Sequence, residues 1–64
     1  MKYIVNASEL YRLTKEIVND GMDYVEISLM EPDDDLTAAV HFEAARKSGL
    51  EGWEDYEDLE VVNP

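Results

Sequence analysis

Apolar residues recur at spacings of three and four near the start of the chain, at Leu10, Leu13 and Ile17, with Val18 beside them. This spacing places an apolar stripe along one side of a helix. Gly21 is suited to end the helix, because glycine adopts the left-handed conformation of a helix C-terminus at little cost. The pattern therefore predicts an amphipathic helix that ends near Gly21.

The residues before this helix predict a short first strand. Residues 2–6 are rich in β-branched and aromatic types, which favour strands. Asn6 can cap the helix with Glu9 as its third residue, and Ser8 is the alternative cap. Either cap starts the helix near residue 8.

Over residues 23–31 the period of the apolar pattern changes to two. The alternating apolar residues are Val25, Ile27 and Leu29. This alternation predicts a half-buried strand. Pro32 ends the strand because proline cannot donate to the hydrogen-bond ladder of a sheet, and the acidic run that follows predicts a solvated turn.

Residues 36–45 are compatible with a helix or a strand, because they combine alanines with alternating apolar positions. On a helix, Phe42 would point away from Leu36 and Val40, whereas on a strand the three residues share a face. If the segment is a strand, the shared apolar face consists of Leu36, Ala38, Val40, Phe42 and Ala44. The strand is favoured for that reason, and the helix is the alternative.

The last strand is predicted from Tyr56 to Val62, where Leu59 and Val61 alternate with acids. The βαβββ order predicts one α+β domain over residues 1–64, with the helix on one face of a mostly antiparallel twisted sheet. The other face is uncovered and either meets water or forms a dimer or partner surface. It carries Tyr24, Glu26, Ser28, Met30, Thr37, Ala39, His41 and Glu43.

Charge restricts the partners of this domain. The net charge is −11, and residues 31–64 hold eleven acids and two bases, so this half carries −9 of it. Such a field repels nucleic acid and anionic membranes and favours basic partners. The apolar run at the N-terminus is too short for a signal peptide or a membrane span, so a cytoplasmic location is expected.

Several kinds of chemistry have little support in the sequence. His41 is the only histidine and there are no cysteines, so neither a histidine pair nor a thiolate can hold a metal. None of the serines lies in a Gly-x-Ser-x-Gly context. The acidic run at residues 33–35 lacks the glycine and glutamate spacing of a calcium loop. We therefore expect a protein that is not an enzyme and has no cofactor and no dedicated metal site.

The most distinctive segment runs from Glu51 to Glu60. It holds six acids, with Trp53, Tyr56 and Leu59 at every third position among them. These three residues either anchor the segment to the core or form an acidic surface with aromatic anchors for a basic partner. The candidate binding residues are Asp33, Asp34, Asp35, Glu51, Trp53, Glu54, Asp55, Tyr56, Glu57, Asp58 and Glu60.

The leading functional hypothesis is a non-enzymatic interaction protein whose acidic C-terminal half docks on a basic protein surface. In a sharper form, the carboxylates mimic nucleic acid and inhibit a nucleic-acid-binding protein. In size and composition the chain resembles small acidic inhibitors of phages and mobile elements, including some anti-CRISPR proteins. The alternative is a structural or oligomerising domain that forms a homodimer through the uncovered sheet face, with acidity serving only solubility.

Overall fold

The computed structural model describes residues 2–30 and 38–62, which form one helix and a three-stranded antiparallel sheet. The helix α1 spans Ala7–Asn19, and the strands are β1 (Tyr24–Met30), β2 (Ala39–Ala45) and β3 (Glu54–Glu60). The strands are adjacent in sequence order, β1-β2-β3. The expected α+β class, with one helix on one face of an antiparallel sheet, is confirmed. No described helix is long and apolar enough to cross a membrane.

The ends of α1 follow the local signals in the sequence. Asn6 is the N-cap, and its side chain accepts a hydrogen bond from the backbone N–H of Glu9 at 3.0 Å. The hydroxyl of Ser8 donates to the same Asn6 oxygen at 2.6 Å. After the helix, Gly21 has φ = 83°, a conformation that costs other residues more than glycine. Of the two predicted caps, the structure uses Asn6.

The predicted first strand over residues 2–6 does not form. This segment has no regular secondary structure, and the backbone N–H of Val62 donates to the carbonyl of Ile4 at 2.7 Å. Because Val62 lies beyond the end of β3, the segment meets the sheet past its last ladder residue. Val5 packs against the core. Ile4, the other β-branched residue of the segment, is 49% exposed. The order is therefore αβββ, whereas βαβββ was predicted.

The ambiguous segment is a strand over its described part. Val40, Phe42 and Ala44 of β2 are buried on the face that α1 covers, while His41 and Glu43 face the other way. The buried residues of β2 form a single core with residues of the helix and with those in and next to β3. The core consists of Leu13, Ile17, Met22, Val40, Phe42, Ala44, Leu59 and Val61. Leu36 and Thr37 lie outside the described residues.

The strand β1 forms where it was predicted, but it is not half-buried. Val25, Ile27 and Leu29 lie on the helix side of the sheet, opposite Ala44, Phe42 and Val40, yet they are 38%, 63% and 37% exposed. The helix packs over β2 and β3 and leaves β1 uncovered at one edge. The prediction of burial fails because it took one helix to be wide enough to cover every strand.

A β-bulge in β3 explains why its apolar residues recur every three positions. His41 pairs with Asp58 and Glu43 pairs with Asp55, so β3 uses three steps where β2 uses two. Tyr56 and Glu57 both lie opposite Phe42, and both point to the helix side, where Glu57 contacts Arg12 of α1 and Tyr56 contacts its C-cap residue Asp20. The extra residue resets the alternation, so that Leu59 returns to the core.

Candidate interaction surface

The sheet face that α1 does not cover, here called the open face, is strongly acidic. The register aligns Glu26, Glu43 and Asp55 directly across the three strands. In the adjacent row, His41 lies between Ser28 and Asp58, and in the next row Ala39 lies between Met30 and Glu60. Five carboxylates and one histidine therefore share one side of the molecule.

The row of Glu26, Glu43 and Asp55 places like charges on neighbouring strands, which is destabilising in a sheet. A hydrogen bond to Asp55 is the main cause that raises the pKa of Glu43, and burial and the charges of Asp55 and Glu26 add to it. The same hydrogen bond, together with one from His41, lowers the pKa of Asp55. Glu43 thus takes up a proton more readily than Asp55.

His41 lies at the centre of the open face and contacts two of the carboxylates. Its Nδ1 is 2.5 Å from Oδ1 of Asp58, and its Nε2 is 3.2 Å from Oδ1 of Asp55. These hydrogen bonds, first that to Asp58 and then that to Asp55, raise the pKa of His41. The imidazolium form offsets part of the local negative charge.

The arginine ion pairs lie on the helix side. Arg12 pairs with Glu57 across the helix–sheet boundary and lies 3.9 Å from Glu16 on the next turn of α1. Arg46 lies 3.9 Å from Glu54. Within residues 2–30 and 38–62, no ion pair joins an arginine or lysine to the open face. Of the five carboxylates on that face, Asp55 and Asp58 contact His41, and Glu43 shares a hydrogen bond with Asp55.

The structure divides the predicted binding residues between the two sides of the sheet. Asp55, Asp58 and Glu60 lie on the open face. Glu54, Tyr56 and Glu57 lie on the helix side, where they pair with Arg46, Asp20 and Arg12. Glu51 and Trp53 precede β3, Glu51 exposed and Trp53 half-buried. Asp33, Asp34 and Asp35 lie outside the described residues.

Tyr56 serves as an anchor for β3. Its hydroxyl donates a hydrogen bond to Asp20 at 2.8 Å, and its ring packs against the core. Burial is the main cause that raises its pKa to about 12, followed by the bond to Asp20. The core-anchor interpretation therefore applies to Tyr56 and to the buried Leu59.

Glu26 and Glu43 were not among the candidate binding residues, although alternation had placed them on the uncovered face. Their alignment with Asp55 depends on the bulge, because a regular β3 could not carry Asp55 and Asp58 on the same face. The signal in the sequence was the three-residue spacing of Tyr56 and Leu59 within a strand.

His41, Glu43 and Asp55 can each offer one ligand atom to a cation, and these atoms lie within 4.8 Å of one another. Imidazole nitrogen and carboxylate oxygens are ligands that divalent transition metals accept. In the structure the same atoms engage in hydrogen bonds with one another. The described residues enclose no pocket beside them.

Comparison of the chain with protein-family models, with curated proteins and with solved structures finds no match.

Proposed function

We propose that this chain is a non-enzymatic, cytoplasmic interaction protein that binds a basic protein surface through its open face. The residues that carry the interaction are Glu26, Glu43, Asp55, Asp58 and Glu60. This proposal modifies the sequence hypothesis, since it relies on both β2 and β1 and not on the C-terminal segment alone.

The observation that carries the proposal is the aligned row of Glu26, Glu43 and Asp55. Like charges opposite one another in a sheet cost stability. Violations of such local rules are most common where function requires them. A partner that brings arginine or lysine to this row would relieve the repulsion on binding, and the binding free energy would include that relief.

The shape of the face suits an extended or flat basic surface. Its carboxylates lie on strands of a packed sheet, so the backbone positions that carry them are fixed before binding. Arginine is the best-matched partner residue because its planar guanidinium can bind a carboxylate through two parallel hydrogen bonds.

Mimicry of nucleic acid is the sharper form of this proposal. The support for it is an ordered array of negative charge on one side of a chain whose arginine ion pairs lie on the other. Such an array can occupy a surface that otherwise contacts phosphates. A partner of this kind would bind either this protein or a DNA or RNA duplex at the same surface, so the two would compete.

The experiment is an NMR titration of the protein with a short arginine-rich peptide at low and high salt. We expect shift changes concentrated on β2 and on the open-face residues of β1 and β3, with binding that weakens steeply as salt rises. Replacing Glu26, Asp58 and Glu60 by Gln, Asn and Gln should weaken binding at least tenfold.

The matched control removes the same number of charges from the rest of the molecule, at Glu9, Glu16 and Glu51. We expect this variant to bind the peptide within about threefold of the wild type, a difference of roughly 0.7 kcal/mol. If both triple variants lose affinity equally, binding follows net charge alone and the open face is not a specific site.

A further inference from the structure

The edge of the sheet formed by β1 carries much less charge than the opposite edge, formed by β3. Of the seven residues of β1 only Glu26 is charged, and Val25, Ile27 and Leu29 form an exposed apolar row on the helix side. Unprotected edges of this kind pair readily with another strand. Edges are normally blocked by proline, lysine or a bulge, and β1 has none of these over Tyr24–Met30.

The opposite edge of the sheet is protected. Five of the seven residues of β3 are acids, and the strand carries the bulge at Tyr56 and Glu57. Pairing two copies through β3 would align acids with acids, which is unfavourable. Packing two open faces against each other would likewise bring the five carboxylates of one copy against the five of the other.

We propose that the edge of β1 binds a second copy of this chain, giving a six-stranded antiparallel sheet with a two-fold axis between the two copies of Ile27. This inference does not rest on the proposed function. It replaces the open face with the β1 edge as the surface for a homodimer.

The sequence of β1 is self-complementary about Ile27. In this register Glu26 of one copy opposes Ser28 of the other, Val25 opposes Leu29, and Tyr24 opposes Met30. All seven residues are paired, and apolar side chains meet apolar side chains on the helix side. Methionine beside tyrosine adds a favourable sulfur–aromatic contact.

The neighbouring registers either place like charges opposite each other or pair fewer residues. Side chains opposite one another must lie on the same face, so the register changes in steps that move the axis by one residue. Moving the axis to Glu26 places two glutamates opposite each other. Moving it to Ser28 removes Tyr24 from the pairing. The register centred on Ile27 therefore has the most contacts and no opposed charges.

The helix leaves room for this pairing because it packs over β2 and β3. The exposed row of Val25, Ile27 and Leu29 lies on the same side of the sheet as the helix. In the dimer the two copies of this row therefore form an apolar floor between the two helices.

The same symmetry determines where the acids lie. The two-fold axis of an antiparallel edge pair is perpendicular to the sheet, so both open faces point the same way. The dimer thus has one continuous acidic face of six strands. Two strands of this length make an interface at the lower end of specific contacts, below about 1,200 Å² in total. We therefore expect dissociation on dilution.

The first experiment is sedimentation equilibrium from about 5 μM to about 1 mM protein in 0.3 M salt, where the dimer should appear at the upper end of the range. Ile27→Lys should raise the dissociation constant at least tenfold. Its control, Val62→Lys, makes the same change at an exposed apolar residue beyond the end of β3 and should leave it unchanged.

The second experiment uses the absence of cysteine in the chain to test the register. Ile27→Cys should form a disulfide dimer under mild oxidation, because opposed Cα atoms in an antiparallel pair lie about 4.5–5.5 Å apart, within disulfide range. Val25→Cys and Leu29→Cys should each fail alone but cross-link when mixed.

A protein that stays monomeric at 1 mM overturns the proposal. So does a dimer that is unaffected by Ile27→Lys, or cross-linking that is equal for the three cysteine variants, which indicates random collision. None of these outcomes bears on peptide binding at the open face.

Discussion

His41 is the residue on which the electrostatics of the open face depend. It contacts Asp58 and Asp55 and lies beside Glu43, so it is a positive charge among three acids when protonated. It is also the group of the face whose ordinary pKa lies nearest to neutral pH. Its protonation therefore changes both the stability of the sheet and the charge offered to a partner.

The raised pKa of His41 predicts a specific dependence of stability on pH. Because the folded pKa lies above the unfolded value of about 6.5, the contribution of His41 is fully present below pH 6.5 and is lost as pH rises through the folded pKa. Urea unfolding at pH 6 and pH 9 should show a larger loss of unfolding free energy in the wild type than in His41→Gln.

The ring resonances of His41, followed by NMR across the same pH range, report its pKa directly. We expect Asp58→Asn to bring that pKa closer to the ordinary value, because the bond to Asp58 is the first cause of the shift. Equal pH dependence in the wild type and in His41→Gln would show that the histidine does not stabilise the fold through this contact.

At the scale of elements, the bulge in β3 decides which acids reach the open face. Before the bulge Asp55 faces outward, and after it Asp58 and Glu60 do, while Tyr56 and Leu59 both reach the helix side. In a regular strand Tyr56 and Leu59 would lie on opposite faces. One extra residue therefore reconciles a three-residue spacing with the two-residue period of a sheet.

Deleting Glu57 should convert β3 into a regular strand without changing the face of any remaining residue. Asp55, Asp58 and Glu60 would stay on the open face, and Leu59 would stay in the core. Only the exposed pair with Arg12 is lost, and such pairs contribute little. We expect a folded protein whose melting temperature changes by no more than about 5 °C.

The contrasting deletion, that of Leu59, removes a buried side chain and brings an acid, Asp58 or Glu60, to its place on the helix side. Loss of a buried leucine costs about 1.5–3 kcal/mol, which in a domain of this size lowers the melting temperature by roughly 10 °C or more. Thermal melts followed by circular dichroism distinguish the two variants. If deletion of Glu57 is the more harmful one, the bulge has a structural role beyond register.

At the scale of the whole molecule, self-repulsion opposes folding. The net charge of −11 is carried by 64 residues, and compaction brings the acids together. The core that resists this is a single layer between α1 and two strands, with β1 outside it. Screening, protonation or a basic partner should each stabilise the fold.

Added salt should therefore raise the melting temperature. Between about 0.02 and 0.5 M NaCl the Debye length shortens from about 20 to about 4 Å, and we expect a rise of several degrees by calorimetry. Glu43→Gln removes the central charge of the acidic row and should melt higher than the wild type at low salt, with a difference that shrinks as salt is added.

Glu9→Gln is the control for that variant. It removes a charge that is favourable at the N-terminus of α1, so it should not raise the melting temperature at low salt. If Glu43→Gln melts no higher than the wild type at low salt, the aligned carboxylates do not destabilise the sheet, and the strain argument for a functional open face loses its basis.

The sequence by itself determined the local features. The apolar stripe through Leu13 and Ile17, a helix cap at Asn6 or Ser8, the turn at Gly21 and the alternation in β1 and β2 each depend on a few neighbouring residues. Such signals act through backbone geometry and side-chain period, which a short segment carries with it.

The tertiary structure decided what depends on distant residues. Only the placement of α1 over β2 and β3 left Val25, Ile27 and Leu29 exposed, and only the pairing with β2 revealed the bulge that brings Asp55 into line with Glu43 and Glu26. Burial and charge alignment are properties of pairs that packing brings together. A periodic pattern shows which side of a strand is apolar, but not whether another element covers it.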